Sequence, residues 1–289
     1  MASGRIIKGV GGLYFVDTGR EIYECQARGL FRKQKIMPLV GDLTEIAVID
    51  EKKRSGYLMK LLPRKNELFR PRVANIDCAV IVFSVSAPAL SAPLLDKFIA
   101  LVERQGLEII LCFNKTDLSP GAGILTDIYS KIGYPTVLTS AFDKGSVDRL
   151  SDIIKGRTAV LAGPSGVGKS SIVNAILSEK YMETGELSKK IDRGKHTTRH
   201  AEFLKLASGG FIVDTPGFAS VSTENIPPAE FQFYFREFSE FLGKCRFKDC
   251  MHVSEPGCAV KEAVGTEISE LRYKSYLDLL LNSGERGNR

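Results

Sequence analysis

The strongest constraint on this chain is one eight-residue run, Gly163-Pro164-Ser165-Gly166-Val167-Gly168-Lys169-Ser170. It follows the apolar stretch Thr158–Leu161 and opens a helical stretch, Lys169–Leu177. A G-x-x-x-x-G-K-S loop between strand and helix lets the backbone wrap an anion, so that successive N–H groups and the helix N-terminus face phosphate. Lys169 is placed to reach the β- and γ-phosphates, and the Ser170 hydroxyl suits Mg²⁺. Ser171 joins the loop residues as a binding candidate. From residue 76 onward, strand and helix patterns alternate, which is the signature of a parallel sheet with helices on its faces.

Three further loops accompany it. Phe211–Val213 leads into Asp214-Thr215-Pro216-Gly217, where an Asp at a strand end can hold Mg²⁺ through water and Gly217 can offer its N–H to a γ-phosphate. Asn114-Lys115-Thr116-Asp117 ends the strand Leu107–Phe113. The Asp117 carboxylate can accept from guanine N1–H and the N2 amino group, a pattern adenine lacks. Asn114 can bind the other base edge, and the Lys115 stem can cover the ring. Thr139-Ser140-Ala141 closes the next strand and matches a loop whose backbone N–H meets guanine O6. The four loops together select GTP over ATP. Their order is unusual: the base-reading loops come before the phosphate loop. Each loop still ends a parallel strand, so the same pocket can form in space. This is the order of a circularly permuted GTPase.

The residue after the DTPG run is Phe218, which cannot orient an attacking water as a glutamine would. Gly194-Lys195-His196-Thr197-Thr198 lies between the phosphate loop and DTPG, in the position of a first switch. Thr198, in preference to Thr197, would complete the Mg²⁺ and γ-phosphate contacts. His200 reads as a surface or strand-edge residue. Gly166 stands where potassium-activated GTPases carry Asn, so that ligand is missing.

Residues 1–72 hold 15 Lys and Arg against 8 Asp and Glu, whereas the remainder is close to neutral. This basic quarter reads as five short strands punctuated by Gly11-Gly12, Gly19 and Gly41, which suits an OB-type or SH3-like barrel and a polyanionic partner such as RNA. Residues 63–75, with Pro63 and Pro71, read as a linker. No apolar run reaches the roughly 18 residues of a spanning helix, and the N-terminus lacks a secretory h-region, so a soluble, non-exported protein is expected. Cys25, Cys78 and Cys112 read as buried small hydrophobes. Cys245-x4-Cys250-x-His252-x5-Cys258 supplies three thiolates and an imidazole, a closed tetrahedral set for structural Zn²⁺. Before it, Phe231, Phe233, Phe235, Phe238 and Phe241 recur at near-helical spacing, as core residues do. After it, Ile268–Leu281 reads as a helix.

The permuted motif order, the basic barrel before it and the Cys/His cluster after it resemble the RsgA/YjeQ family of small-ribosomal-subunit biogenesis GTPases over essentially the whole chain. The resemblance implies an OB barrel at 1–66, a permuted GTPase domain at 67–222 and a zinc-binding α-helical domain at 223–289. It implies a monomeric cytoplasmic enzyme that binds the 30S subunit and 16S rRNA, uses GTP with Mg²⁺, releases GDP, and touches no membrane. It also implies that His196 places the attacking water and that the subunit stimulates hydrolysis. A relay of nucleotide state to the zinc domain through residues 217–230 is expected. Phe218 leaves open an alternative, a non-catalytic GTP-dependent RNA-binding assembly factor.

Overall fold

The computed structural model describes residues 1–68, 71–86, 88–118, 123–184, 201–214 and 226–284. The first elements are β1 (Ala2–Val10), β2 (Leu13–Asp17), β3 (Ile22–Ala27), α1 (Gly29–Lys33), β4 (Leu43–Asp50) and β5 (Ser55–Leu61). A short hairpin follows, β6 (Glu67–Leu68) with β7 (Val73–Ala74). Next come β8 (Cys78–Ser84), α2 (Ala92–Glu103), β9 (Glu108–Asn114), α3 (Gly123–Lys131), β10 (Thr136–Leu138) and α4 (Lys144–Ile153). The series ends with β11 (Thr158–Ala162), α5 (Lys169–Thr184), β12 (Glu202–Lys205), β13 (Phe211–Asp214), α6 (Ala259–Glu262) and α7 (Glu270–Gly284). The chain divides into two compact units, one of Met1–Ala79, Val147–Leu161 and Ser170–Ala219, the other of Val80–Ser146, Ala162–Lys169 and Ser220–Arg289.

In the first unit, β1 to β5 close on themselves. β1 pairs with both β2 and β4, β2 with β3, and β4 with β5, all antiparallel, while β3 runs parallel to β5. Alternation along these strands turns Ile6, Val16, Cys25, Ile46 and Leu58 into the barrel core. The barrel is joined to the strands that follow it. β1 also pairs with β12 at Lys8 and Glu202, and those two side chains form an ion pair at 3.4 Å. Arg5 donates to Thr158 Oγ1 at 2.9 Å, and its guanidinium lies 5.4 Å from the centre of the Phe211 ring. Lys205 meets Asp17 at 2.8 Å. β12 and β13 form an antiparallel hairpin, and β13 runs parallel to β11.

Residues 63–75 are not a free linker. Leu68, Val73 and Ala74 are buried, and Arg64 forks onto the fully buried Asp42 at 2.7 and 2.9 Å. Asn66 exchanges two hydrogen bonds with the backbone of Ile76, and Asn75 bonds to Lys65 N and Gly41 O. The charge of Arg64 is spent on internal partners, which raise its pKa above the ordinary value chiefly through the Asp42 hydrogen bond.

In the second unit, β10 lies parallel to β9. Helix α2 begins at Ser91, whose Oγ accepts from Leu94 N, and it buries Leu95, Phe98, Ile99 and Val102. The aromatic segment is wound as 3-10 turns (Pro228–Tyr234 and Arg236–Phe238). Phe231, Phe235 and Phe238 enter one core with Ile268, Tyr276 and Ala100 of α2, and Phe241 packs at its edge. Phe233 does not; it is 65% exposed, because two residues on from Phe231 a helical turn of either kind points its side chain away from that core. Beneath this core, the fully buried Arg272 of α7 forks onto Glu237 at 2.7 and 3.0 Å and donates to Asp96 of α2. Arg236 reaches Glu103 at 2.6 Å.

Candidate nucleotide site and metal cluster

The base-reading and phosphate loops meet in the second unit. β11 delivers Gly163 with φ +136°, and a Cβ there would come within 2.1 Å of the Val82 carbonyl oxygen, so only glycine fits. Gly168 has φ +97°, and a Cβ would meet Asn114 Nδ2 at 2.3 Å. That closeness lets the loops bond: Asn114 Nδ2 donates to Val167 O at 2.9 Å, and Lys115 Nζ donates to Gly166 O at 2.8 Å. Asn114 is itself oriented by Thr139, whose Oγ1 donates to Asn114 Oδ1 at 3.2 Å. Thr116 closes the pair of loops by donating from N and Oγ1 to Thr139 O. The β9 and β10 loops and the phosphate loop thus form one hydrogen-bonded block.

Within it, Asp117 is exposed on a 3-10 turn (Thr116–Leu118), where it can face a ligand edge. Ser140 is buried, with its N–H given to Ser146 Oγ at 3.0 Å; Ala141 beside it is half-buried. Pro164, Ser165 and Gly166 form the outer arc of the phosphate loop, and Val167 is buried under it. Lys169 Nζ donates back to Gly163 O and Pro164 O at 2.7 and 2.6 Å, and burial pulls the ammonium below its ordinary value. A cation held this way is poised for an anion, which would restore the stabilisation that burial removes. Ser170 and Ser171 continue into the first turn of α5, in the other unit. Asp214 ends β13; its neighbour Val213 registers with Val160 of β11, two residues from the strand end at Ala162. His196, Thr197, Thr198, His200, Gly217 and Phe218 lie outside the described residues, as does most of the 217–230 segment.

Cys245, Cys250, His252 and Cys258 converge, with their ligand atoms all within 4.8 Å of one another. Cys245 Sγ and Cys258 Sγ are 3.9 Å apart, and His252 Nδ1 lies 3.5 and 3.3 Å from them. A tetrahedral ion with sulfur bonds of about 2.3 Å sets its sulfurs roughly 3.8 Å apart, so the set fits one metal ion. His252 Nε2 donates to Gln232 Oε1 at 3.0 Å, which leaves the Nδ1 lone pair facing the thiols. Burial lowers the His252 pKa and keeps the ring neutral, the form that binds metal. Glu255 accepts from Met251 N, Val253 N and Ser254 N, and these bonds hold its carboxyl down to about 2. Tyr273 and Tyr276 donate to the carbonyls of His252 and Met251. Gln232, Glu255 and Ser146 are absent from the motifs, because single polar residues at these places carry no spacing signal.

A guanine-reading loop locked to a phosphate loop, and preceding it in the chain, defines a circularly permuted GTPase. The comparisons agree. The RsgA GTPase family matches residues 61–224, and the RsgA N-terminal domain family matches residues 3–58. A small ribosomal subunit biogenesis GTPase RsgA from Caldanaerobacter subterraneus is 48% identical over 99% of this chain and 97% of its own. Its counterpart in Alkaliphilus metalliredigens is 46% identical over 97% of each. Among solved structures, YjeQ from Thermotoga maritima superposes with a TM-score of 0.84 at 37% identity, covering 99% of each chain. The structure of YloQ, described as a circularly permuted GTPase, gives 0.83 at 36% identity over 100% of this chain and 97% of that one. The chain belongs to the RsgA GTPase family. That membership makes it a GTP hydrolase and sets aside the non-catalytic alternative.

Proposed function

We propose that this GTPase binds the small ribosomal subunit and its 16S rRNA late in subunit maturation and uses hydrolysis to time its own release. The observation that carries the reading is the pair of bonds from Asn114 and Lys115 to the phosphate loop. They fix the base-to-phosphate span for one nucleotide, in a family whose curated relatives are named for small-subunit biogenesis. In this reading Asp117 and Asn114 take the guanine edges, Ala141, held beside the buried Ser140, presents its backbone N–H to O6, and residues 163–171 enclose the phosphates. Ser170, Asp214 and Thr198 hold Mg²⁺, whose positive charge offsets the negative charge developing on the phosphates. Gly217 senses the γ-phosphate, and His196 orients the attacking water in place of the absent glutamine.

The Cys/His cluster holds one structural Zn²⁺ with no open coordination position, and it fixes the turn that carries Lys244, Arg246 and Lys248 toward RNA. The basic barrel, residues 1–66, makes the first RNA contact, the GTPase domain spans 67–222 and the zinc domain 223–289. The protein acts as a monomer in the cytoplasm; among the described residues no helix is long and apolar enough to cross a membrane. GTP turnover with and without purified 30S subunits tests the reading. Strong stimulation that weakens steeply with salt is expected, and an unchanged rate overturns it.

A further inference from the structure

We propose that Phe142 is the aromatic lid of the nucleotide base: its ring stacks on the purine held by the Asn114–Asp117 loop. The inference rests on the guanine-nucleotide reading and adds to it a residue that the motifs do not include. Phe142 is 91% exposed, well beyond every other large hydrophobic among the described residues except Met1 at the chain start. A single exposed hydrophobic is ordinary on a protein surface. This one is distinguished by its position and by how firmly its backbone is held.

Phe142 directly follows Ser140-Ala141, the loop assigned to guanine O6. Thr116 fastens that loop to the base-reading turn by two hydrogen bonds to Thr139 O. The turn that bears the ring is closed from both sides. Phe142 N donates to Ser140 Oγ, Asp143 N to Ser140 O, and Ser146 N to Asp143 O. Ser146 Oγ donates to Ser140 O and to Asp143 O. The backbone is ordered while the side chain it carries touches almost nothing, which is the economy of a binding residue positioned in advance. Across the same loop pair, Lys115 sits at φ +64° and sends its four-carbon stem to the phosphate loop at Gly166 O. A purine read at its edge by Asp117 would then meet the Lys115 stem and the Phe142 ring. Stacking recognises any purine face, so Phe142 would set affinity while Asp117 sets the choice of base.

The chain contains no tryptophan, so Phe142→Trp creates a single reporter at the proposed lid. Full-length protein would be titrated with GDP, and separately with IDP, which lacks the guanine amino group. Phe142→Ala is expected to weaken both by roughly 5- to 150-fold, the range of base–aromatic stacking, with their ratio unchanged. Phe142→Tyr and Phe142→Trp should restore affinity whereas Phe142→Leu should not, and the fluorescence of the introduced indole should change on GDP addition. Wild-type GDP affinity in Phe142→Ala, with an unresponsive indole reporter, overturns the lid and leaves the guanine site standing. Unchanged GDP affinity with weakened 30S binding also overturns it, and assigns the ring to the subunit. Failure of the wild-type protein to bind GDP would overturn both readings together.

Discussion

Replacing Arg272 by Met tests how the segment that carries the Cys/His cluster is held to α2. Methionine keeps the apolar stem that passes the Phe235 ring, where the guanidinium carbon lies 4.4 Å from the ring centre. It removes the charge that answers Asp96 and Glu237. Asp96 and Arg272 have no exposed surface, and Tyr129 OH donates a further bond to Asp96 Oδ1 at 2.8 Å. Stripping one partner from a buried ion pair costs about 3–5 kcal/mol, a large share of the roughly 5–15 kcal/mol that holds a folded protein. The melting temperature followed by circular dichroism should fall by on the order of 10 °C at pH 8.

The loss should depend on pH, with a definite sign. Burial already pushes the Asp96 carboxyl above its ordinary value, against the pull of Arg272. Without Arg272, Asp96 rises further, so the folded state keeps a proton that the unfolded chain has released. Stability held this way is full below the unfolded carboxyl range and is lost as pH climbs through the folded value. The deficit should therefore shrink between pH 8 and pH 5.5. A triple variant, Asp96→Asn, Glu237→Gln and Arg272→Met, should recover most of the loss, since no charge then remains to be desolvated. A single variant that loses less than about 1 kcal/mol, or a deficit indifferent to pH, would refute the reasoning.

Three further outcomes are expected. Asp117→Asn should weaken GTP binding by roughly 10- to 150-fold and favour xanthosine nucleotides, as read by nucleotide competition; an unchanged preference would misplace the base pocket. Gly163→Ala, which forces a methyl against the Val82 carbonyl, should abolish nucleotide binding, whereas Gly29→Ala, with open space around it, should not. Cys250→Ser should lose the metal and destabilise residues 230–282 while nucleotide affinity stays largely intact. Metal analysis of the wild-type protein giving less than about half an equivalent of zinc would count against a four-ligand site.

What is legible in the sequence is whatever repeats a spacing. The phosphate loop, the NKTD turn and the Cys/His set are dense, ordered strings, and each is found where its flanking strand or turn requires. Cys25, Cys78 and Cys112 are buried as their apolar neighbours imply. Residues 63–75 mislead because proline and arginine suggest a solvated tether, yet Arg64 is an internal partner for Asp42, 22 positions away. Near-helical spacing assigns all five phenylalanines to the core, but Phe233 lies two residues from both Phe231 and Phe235, an offset that helical turns of either kind send to the opposite side. Single residues such as Gln232 and Ser146 act through contacts that no local pattern encodes.

The strand pairing of β1 with β12 bears on what can be cut from this protein. Deleting the first 66 residues by the sequence boundary would not detach a module. It would strip β12 of the neighbour that registers with it at Glu202 and leave that side of the strand as an open sheet edge. The same cut would remove Arg5 from above the Phe203 and Phe211 rings and uncover them. An unpaired edge bordered by aromatic surface invites intermolecular strand addition. A shortened chain prepared to isolate hydrolysis from RNA binding would therefore tend to self-associate, and its low activity would report sheet exposure before it reported any role of the barrel in turnover.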